Sequence, residues 1–277
     1  MLKEVKTGTK RLNDYRGIID DSLFREINSL AKKLQGLKVL HINATDSGGG
    51  VAEILQNLVP LMRNIGINAK WKIISADKSF FNITKSFHNA LQGNHGEINR
   101  GIEKIYQKCN QNNACSLDNE WDIIVIHDPQ PAAIPCYRNA TKTKWIWRCH
   151  IDTSKPNKSI WKFFKNFFKE YDAAIFTIRE FVPKDFPIKK VFFIPPAIDP
   201  LDIKNKPLSF NIAKKIIIKL QFSGSFQFFI IGIGALTNQL FWSVTIIAVI
   251  QNIYWIGIVI LMYINYRKEA HATPQAN

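Results

Sequence analysis

Residues 37–62 read LKVLHINATDSGGGVAEILQNLVPLM, and this stretch decides the fold. The apolar run at Leu37–Asn43 predicts a buried strand, and the apolar repeat from Val51 predicts a helix over about 51–65. Gly48, Gly49 and Gly50 lie between them. Glycines placed there permit a tight turn and leave the positive end of the helix open to a phosphate or to the diphosphate of a nucleotide sugar. The spacing is neither GxGxxG nor a Walker A motif, so a glycine-rich turn without a ligand remains the alternative.

The same alternation of strand and helix continues along the chain. Further strands are predicted at Ala69–Ile74, Trp121–His127, Lys144–Cys149, Ala173–Thr177 and Lys190–Ile194, and helices at about 22–35, 79–91, 97–109 and 158–170. Buried strands alternating with helices indicate an α/β fold with a single Rossmann-like parallel sheet. Four strands end in polar or glycine-rich segments, HINATDSGGG, HDPQPA, RCHID and PPAIDP, which should converge at the carboxyl edge of the sheet.

Composition excludes several classes of protein. The 277 residues are 46% hydrophobic and 12% aromatic, which argues against a disordered chain. Four cysteines without a CxxC pair argue against a zinc site or a disulfide scaffold, and no metal is expected. The net charge of +15 is unevenly distributed: residues 1–137 carry +3, residues 138–219 carry +11, and residues 220–266 contain no Asp, Glu, Lys, Arg or His.

The uncharged segment 220–266 is long enough to cross a bilayer, since a span needs roughly 20 apolar residues. Residues 240–263 form the best single span, and Thr237-Asn238-Gln239 could instead be the turn of a hairpin. Lysines and an arginine flank the segment, which favours membrane association with the preceding domain on the cytoplasmic side. A buried core hairpin is the alternative. We therefore expect a domain at 1–207, a basic linker at 208–219, the membrane segment at 220–266 and a polar tail at 267–277.

The basic charge thus fits an anionic membrane surface, with lipid as a partner, better than nucleic acid. The chain has no RNP, helix-turn-helix or zinc-finger pattern that would favour nucleic-acid binding. The helix IWKFFKNFFKEY (160–171) has two interpretations. Its aromatic face, with Trp161, Phe164, Phe168 and Tyr171, either packs on the sheet as in an ordinary amphipathic helix or lies on a membrane surface.

The segment HDPQPA places His127, Asp128 and Gln130 directly after a strand, on a loop stiffened by two prolines. Short polar side chains on a rigid loop suit hydrogen bonding to sugar hydroxyls. A turn in which Asp128 accepts from local backbone N–H groups is the alternative.

The segment WIWRCHID ends its strand with Arg148, His150 and Asp152. Residues two apart on an extended chain point to the same side, so His150 and Asp152 could bind a pair of hydroxyls or act as acid and base. A structural histidine is the alternative. Cys149 faces the other way and is expected in the core.

These segments together resemble a known family. HINATDSGGGVAEIL, HDPQPAA, WIWRCHID, YDAAIFTIREFVP and FIPPAIDPL occur in this order and resemble the N-terminal domain of glycosyltransferring trehalose synthases, which belong to retaining glycosyltransferase family 4. The resemblance runs from about residue 14 to Pro207. It implies the N-terminal half of a GT-B architecture, in which two Rossmann-like domains enclose the active site.

The resemblance also implies an activity and its substrates. ADP- or UDP-glucose would give its glucosyl group, with retention, to the 1-hydroxyl of glucose, forming trehalose. The nucleotide sugar is a substrate, and no cofactor or metal is implied. The glycine loop Gly48, Gly49 and Gly50 would face the donor diphosphate. The acceptor sugar would be bound by the remaining six residues, His127, Asp128, Gln130, Arg148, His150 and Asp152.

The chain departs from the family after PPAIDPLDIKNKPLS, where the family continues into its donor-binding domain. Here Lys214-Lys215 leads instead into the uncharged segment. We therefore expect a trehalose synthase-like domain that is incomplete by itself and that could work with a separate C-terminal half. The alternative is a non-catalytic, membrane-anchored protein that binds a sugar or a nucleotide sugar.

Overall fold

A computed structural model of the chain describes residues 1–138, 142–202, 205, 237–239, 241–242 and 244–245. The chain divides into two compact units, Met1–Asn205 and Lys206–Asn277. In the second unit, residues 237–238 form a turn with Asn238 at a φ of 55°, where the sequence predicts one. The rest of the predicted membrane segment 220–266, the linker at 208–219 and the tail at 267–277 lie outside the described residues. Within the described part of the chain, no helix is both long and apolar enough to cross a bilayer.

The first unit is built on one seven-stranded sheet. Its strands are β1 (Lys3–Glu4), β2 (Lys38–Asn43), β3 (Asn68–Ile73), β4 (Ile123–His127), β5 (Lys144–Arg148), β6 (Ala173–Phe176) and β7 (Val191–Phe193). They are ordered β1-β3-β2-β4-β5-β6-β7, and every pairing is parallel except that of β1 with β3. The predicted Rossmann-like parallel sheet is therefore confirmed. The short β1 has too few residues to give a periodic signal, and the sequence did not predict it.

Helices connect the strands and cover both faces of the sheet. They are α1 (Asp21–Lys33), α2 (Gly50–Asn64), α3 (Lys78–Leu91), α4 (Arg100–Ala114) and α5 (Lys158–Phe168). Side chains from α3, α4 and α5 share one core with residues of β2, β4, β5 and β6. A second, smaller core lies between α2 and the other sheet face, where Leu55 and Trp71 are buried. Burial on both faces explains why the central strands are mostly apolar.

Helix α4 ends five residues beyond its prediction. The polar sequence after Cys109 reads as a helix end, but Asn110 and Asn113 are buried. Asn113 donates through Nδ2 to the Ser75 carbonyl (3.0 Å) and accepts from the Ser75 N–H (2.9 Å), while Asn110 donates to the Gln130 carbonyl (3.2 Å). Because these amides form hydrogen bonds with the backbone of neighbouring loops, the helix can continue through a polar stretch.

The burial of the aromatic residues of α5 decides between the two interpretations of this helix. Trp161, Phe164 and Phe168 are all buried in the sheet core, and Tyr171 beyond the helix is buried as well. Trp161 also donates through Nε1 to Asp185 at 2.7 Å. The amphipathic interpretation is confirmed, and the membrane-surface interpretation is wrong, since the aromatic face is already covered by the protein.

Candidate functional site

The strand order places a topological switch point between β2 and β4. From β2 the chain passes to β3 on one side of the sheet, and β4 then pairs with β2 on the other side. The two connections diverge beyond the carboxyl ends of these strands, and ligands of open α/β sheets bind in the resulting crevice. A cavity of about 880 Å³ lies there. Its polar lining comes from Asn43, Thr45, Gly49, Gly50, Thr84, Lys85, His88, Asn89, His127, Asp128, Gln130, His150 and Thr177.

One side of the cavity is the glycine loop, which we define as residues 44–50. Ala44, Thr45, Gly49 and Gly50 line the cavity, whereas Gly48 does not. Asn43, at the end of β2, fixes the start of the loop. Its side chain accepts a hydrogen bond from Trp71 Nε1 (2.7 Å) and donates one to the Thr45 carbonyl (2.7 Å). Gly48 has a φ of +78°, a conformation that favours glycine. Gly49 precedes α2 without a side-chain cap, so the first N–H groups of the helix stay available beside the cavity. The strand–loop–helix geometry predicted from the glycines is present.

The other side begins with Asp128, which follows β4 at a φ of 62°. Its N–H donates to the Arg148 carbonyl (2.9 Å), its carbonyl accepts from Trp147 Nε1 (3.1 Å), and its Oδ1 accepts from the His150 N–H (2.9 Å). Burial raises the pKa of Asp128 from 3.8 to about 6, although the His150 hydrogen bond and the Arg148 charge act against the rise. Asp128 therefore holds the loop that carries His150, besides lining the cavity.

Three imidazoles lie on this side, two of them in the wall of the cavity and one behind it. We call them the histidine chain: His41, His127 and His150. His127 Nε2 lies 3.0 Å from His41 Nδ1, and His127 Nδ1 lies 2.9 Å from His150 Nε2. His127 and His150 line the cavity, whereas His41 lies behind them in the protein. The sequence did not single out His41. The sequence feature that could have identified His41 was its spacing, since His41 and Asn43 alternate with the core residues Leu40 and Ile42 on β2.

Burial lowers the pKa of His41 and of His150 to about 4, and lowers that of His127 well below its ordinary value. The positive charge of Arg148 adds to the lowering at His127 and His150. At neutral pH the histidine chain is uncharged, so it can donate and accept hydrogen bonds but offers no cation to a ligand.

Arg148 and Asp152 do not belong to the cavity lining. Arg148 is buried and donates through Nη2 to the Ile194 carbonyl at 2.5 Å, while its Nη1 has no partner among the described residues. Asp152 is exposed, and its Oδ1 accepts from the Ser154 N–H at 2.8 Å. The expected alignment of His150 with Asp152 assumed an extended chain, but β5 ends at Arg148.

The remaining side of the cavity is formed by α3, to which the sequence analysis gave no role in the site. Phe81, Thr84, Lys85 and His88 follow the i, i+3, i+4, i+7 spacing of one helical face, and all four line the cavity. Phe80 and Phe87 on the adjoining face are buried in the core. The sequence feature that could have identified α3 as part of the site was therefore a second face, with polar and apolar residues, on an otherwise apolar helix.

Chemically, the cavity is a hydrogen-bonding site. It offers main-chain N–H groups, neutral imidazoles, a carboxyl group, amides and one lysine, which suits a polyhydroxyl ligand with an anionic end. The histidines contact one another instead of converging on a common point. No cluster of three or more His, Cys, Asp or Glu in the described ranges is arranged to hold a metal ion. All four cysteines are free thiols, and Cys149 is buried as expected.

The fold and the cavity define a Rossmann-like domain with a ligand site at the switch point of its sheet. The family model for the N-terminal domain of trehalose synthase matches residues 41–183, which include all three sides of the cavity. The chain belongs to this family.

Two trehalose synthases agree with this assignment. The chain is 46% identical to trehalose synthase from Rubrobacter xylanophilus over 222 residues, covering 78% of this chain and 53% of the relative. It is 48% identical to trehalose synthase from Thermococcus litoralis, covering 72% and 49% respectively. A solved structure of alpha,alpha-trehalose 6-phosphate synthase from Burkholderia multivorans matches with a TM-score of 0.40 at 14% identity, covering 52% of this chain and 41% of that chain. The chain spans about half the length of the trehalose synthases it matches.

Proposed function

We propose that the cavity binds the acceptor sugar of a trehalose-forming glucosyl transfer. One observation carries this proposal. The polar cavity at the β2/β4 switch point lies entirely on the domain that matches trehalose synthases, apart from Pro196 at its rim. In the proposed reaction, ADP- or UDP-glucose gives its glucosyl group to the 1-hydroxyl of glucose with retention.

The proposed roles are divided between the glycine loop and the side of the cavity that begins with Asp128. Gly48, Gly49 and Gly50 face the donor diphosphate, whose charge the open N-terminus of α2 favours. His127, Asp128, Gln130 and His150 bind the acceptor from the lining. Arg148 and Asp152 complete the predicted acceptor set, and from their positions they act by holding Ile194 and the 152–154 turn instead of by direct contact.

The proposed chemistry needs no protein base, because the leaving diphosphate can take the acceptor proton on the same face. Catalysis then depends on electrostatic support of the leaving group. Lys85 is the one lysine or arginine in the lining. A single exposed lysine is weak support for a diphosphate, so we propose that the chain has little transferase activity alone and needs a separate donor-binding half.

Calorimetric titration of the full chain with glucose, trehalose, ADP-glucose and UDP-glucose tests the proposal. We expect glucose or trehalose to bind, and Gln130→Leu to weaken that binding about fivefold, as the loss of one neutral hydrogen bond predicts. His95→Leu is the matched control, because His95 is an exposed polar residue away from the cavity. If none of the four ligands binds, the proposal is wrong.

Complementation tests the transferase role separately. The chain is mixed with the C-terminal half of a related trehalose synthase, and trehalose formation from each nucleotide sugar and glucose is measured. Product formed by the mixture and by neither part alone supports the enzyme. Sugar binding without product favours the second candidate, a non-catalytic sugar-binding protein.

We also propose that residues 220–266 associate with a membrane and that the domain faces the cytoplasmic side. The absence of charge over the segment and its basic flanks support this proposal. Fractionation of cells with a carbonate wash, followed by protease treatment of sealed vesicles, tests both parts. Release of the chain by carbonate would contradict insertion.

A further inference from the structure

The histidine chain runs from the interior of the first unit to the cavity. Its two contacts are hydrogen bonds by distance, 3.0 Å between His41 and His127 and 2.9 Å between His127 and His150. At the inner end, His41 Nε2 is buried and has no partner among the described residues. At the outer end, His150 lines the cavity, and its Nδ1 makes no hydrogen bond within the described part of the chain.

Each ring of the chain carries a single proton at neutral pH. Burial keeps the pKa of His41 and of His150 at about 4 and that of His127 well below 6.5. The charged groups that face the rings are Arg148 from β5, which lowers the pKa of His127 and His150, and Asp128, which accepts from the backbone of His150. With one proton per ring and two hydrogen bonds to satisfy, only two arrangements are possible.

The two arrangements differ at the buried end. In the outward arrangement, His41 Nδ1–H donates to His127 Nε2 and His127 Nδ1–H donates to His150 Nε2, which leaves a bare lone pair on His41 Nε2. In the inward arrangement every proton sits on Nε2, which leaves an N–H group of His41 buried and unpaired. Genuinely orphaned buried N–H groups are rare in native structures, rarer than buried acceptors that lack a partner. The outward arrangement is therefore the more stable one.

We infer that His41 is a positioning residue, which acts through His127 to keep a proton on Nδ1 of His150 and so presents a hydrogen-bond donor to the cavity. The nature of the ligand rests on the proposed function, in which the atom facing His150 is a hydroxyl oxygen of the acceptor sugar. That oxygen then accepts from the protein and keeps its own proton free to donate elsewhere.

The proton positions can be read directly. In the full chain labelled with ¹⁵N-histidine, long-range ¹H–¹⁵N spectra at neutral pH distinguish the two tautomers of each ring. We expect His41, His127 and His150 all to be protonated at Nδ1, with couplings between the bonded nitrogens. A proton on Nε2 of His150 in the wild-type chain would overturn the inference, whether or not a sugar binds.

Two substitutions test the role of His41. His41→Ala leaves room for water, which can donate or accept, so we expect His150 to become a mixture of tautomers and glucose to bind about fivefold more weakly. His41→Asn retains an amide donor near the Nδ1 position and should restore the wild-type tautomer. His95→Ala, which removes an exposed imidazole, is the control.

The outcomes separate the inference from the proposed function. If His41→Ala folds by circular dichroism and His150 remains protonated at Nδ1, His41 does not position the proton and the inference fails. If His41→Ala does not fold, His41→Asn decides, because loss of the Nδ1 proton in that variant also overturns the inference. Wild-type protein with the expected tautomers but without affinity for any sugar would contradict the proposed function alone.

Discussion

The glycine loop and the histidine chain form two sides of one cavity by opposite means. The loop presents backbone: a Cβ added at Gly48, Gly49 or Gly50 would meet no atom within 4 Å. The histidine chain presents side chains that are bonded ring to ring, with His41 and His127 buried and His150 half-buried. The loop can therefore contact a ligand through its main chain, whereas the histidine chain is organised in advance and depends on protonation. Five substitutions test this contrast.

The largest effect is expected for His127→Leu. The substitution removes the central ring and leaves both His41 Nδ1 and His150 Nε2 without a partner. Because each unsatisfied buried polar group costs about 1–3 kcal/mol, we expect the free energy of unfolding to fall by about 3 kcal/mol. Urea unfolding followed by tryptophan fluorescence measures the change. A loss no larger than that of His95→Leu would show that the histidine chain does not stabilise the fold.

On the loop side, Gly48→Ala and Gly49→Ala form a matched pair. Both positions have open space for a Cβ, but Gly48 has a φ of +78° whereas Gly49 has an extended φ of −158°. We expect Gly48→Ala to cost about 1–2 kcal/mol and Gly49→Ala less than about 0.5 kcal/mol in the same urea experiment. Equal costs would mean that the loop does not need the left-handed conformation.

The histidine chain should make the stability of the fold depend on pH. The folded pKa values of His41 and His150, about 4, lie below the unfolded value of 6.5. Their contribution is complete above pH 6.5 and is lost as the pH falls toward 4. The pKa of Asp128 is raised to about 6, so its protonation stabilises the fold as the pH falls and offsets part of that loss.

Asp128→Asn removes the offset and retains an oxygen for the His150 N–H. Between about pH 7 and pH 5 we expect the free energy of unfolding to fall by about 1 kcal/mol more in this variant than in the wild type. Urea midpoints at both pH values give the difference. Parallel pH profiles would place the Asp128 pKa near its unfolded value and contradict the described burial.

The smallest effect on stability is expected for Lys85→Met. Lys85 is exposed on the α3 side and has no structural role, so the free energy of unfolding should change by less than about 0.5 kcal/mol. Its ligand effect sharpens the contrast between the two sides. ADP-glucose binding should weaken and lose part of its salt dependence, while glucose binding should not change. Calorimetry at two salt concentrations measures both, and equal weakening for glucose would contradict an anion-facing role.

The sequence predicted the sheet well because its strands are buried on both faces and are separated by helices with a clear apolar period. All six predicted strands are present within a residue or two of their expected ends. The site was predicted less completely. His127, Asp128, Gln130 and His150 were singled out because polar residues stand out at strand ends, and all four line the cavity. His41 was not singled out, because its alternation with the core residues Leu40 and Ile42 is a weak signal within an apolar run.

The Rossmann-like order of elements, and the carboxyl edge of the sheet at which its polar loops gather, could be predicted from the sequence. Hydrophobic periodicity and glycine conformation are local properties, and they act wherever the chain is in space. Which polar groups meet depends on the packing of the elements. The register of β2, β4 and β5 joins three histidines, the end of β5 at Arg148 turns Asp152 away, and the packing of α3 brings Lys85 and His88 to the cavity. Contacts between residues far apart in the chain depend on how the elements pack, and no local pattern records that packing.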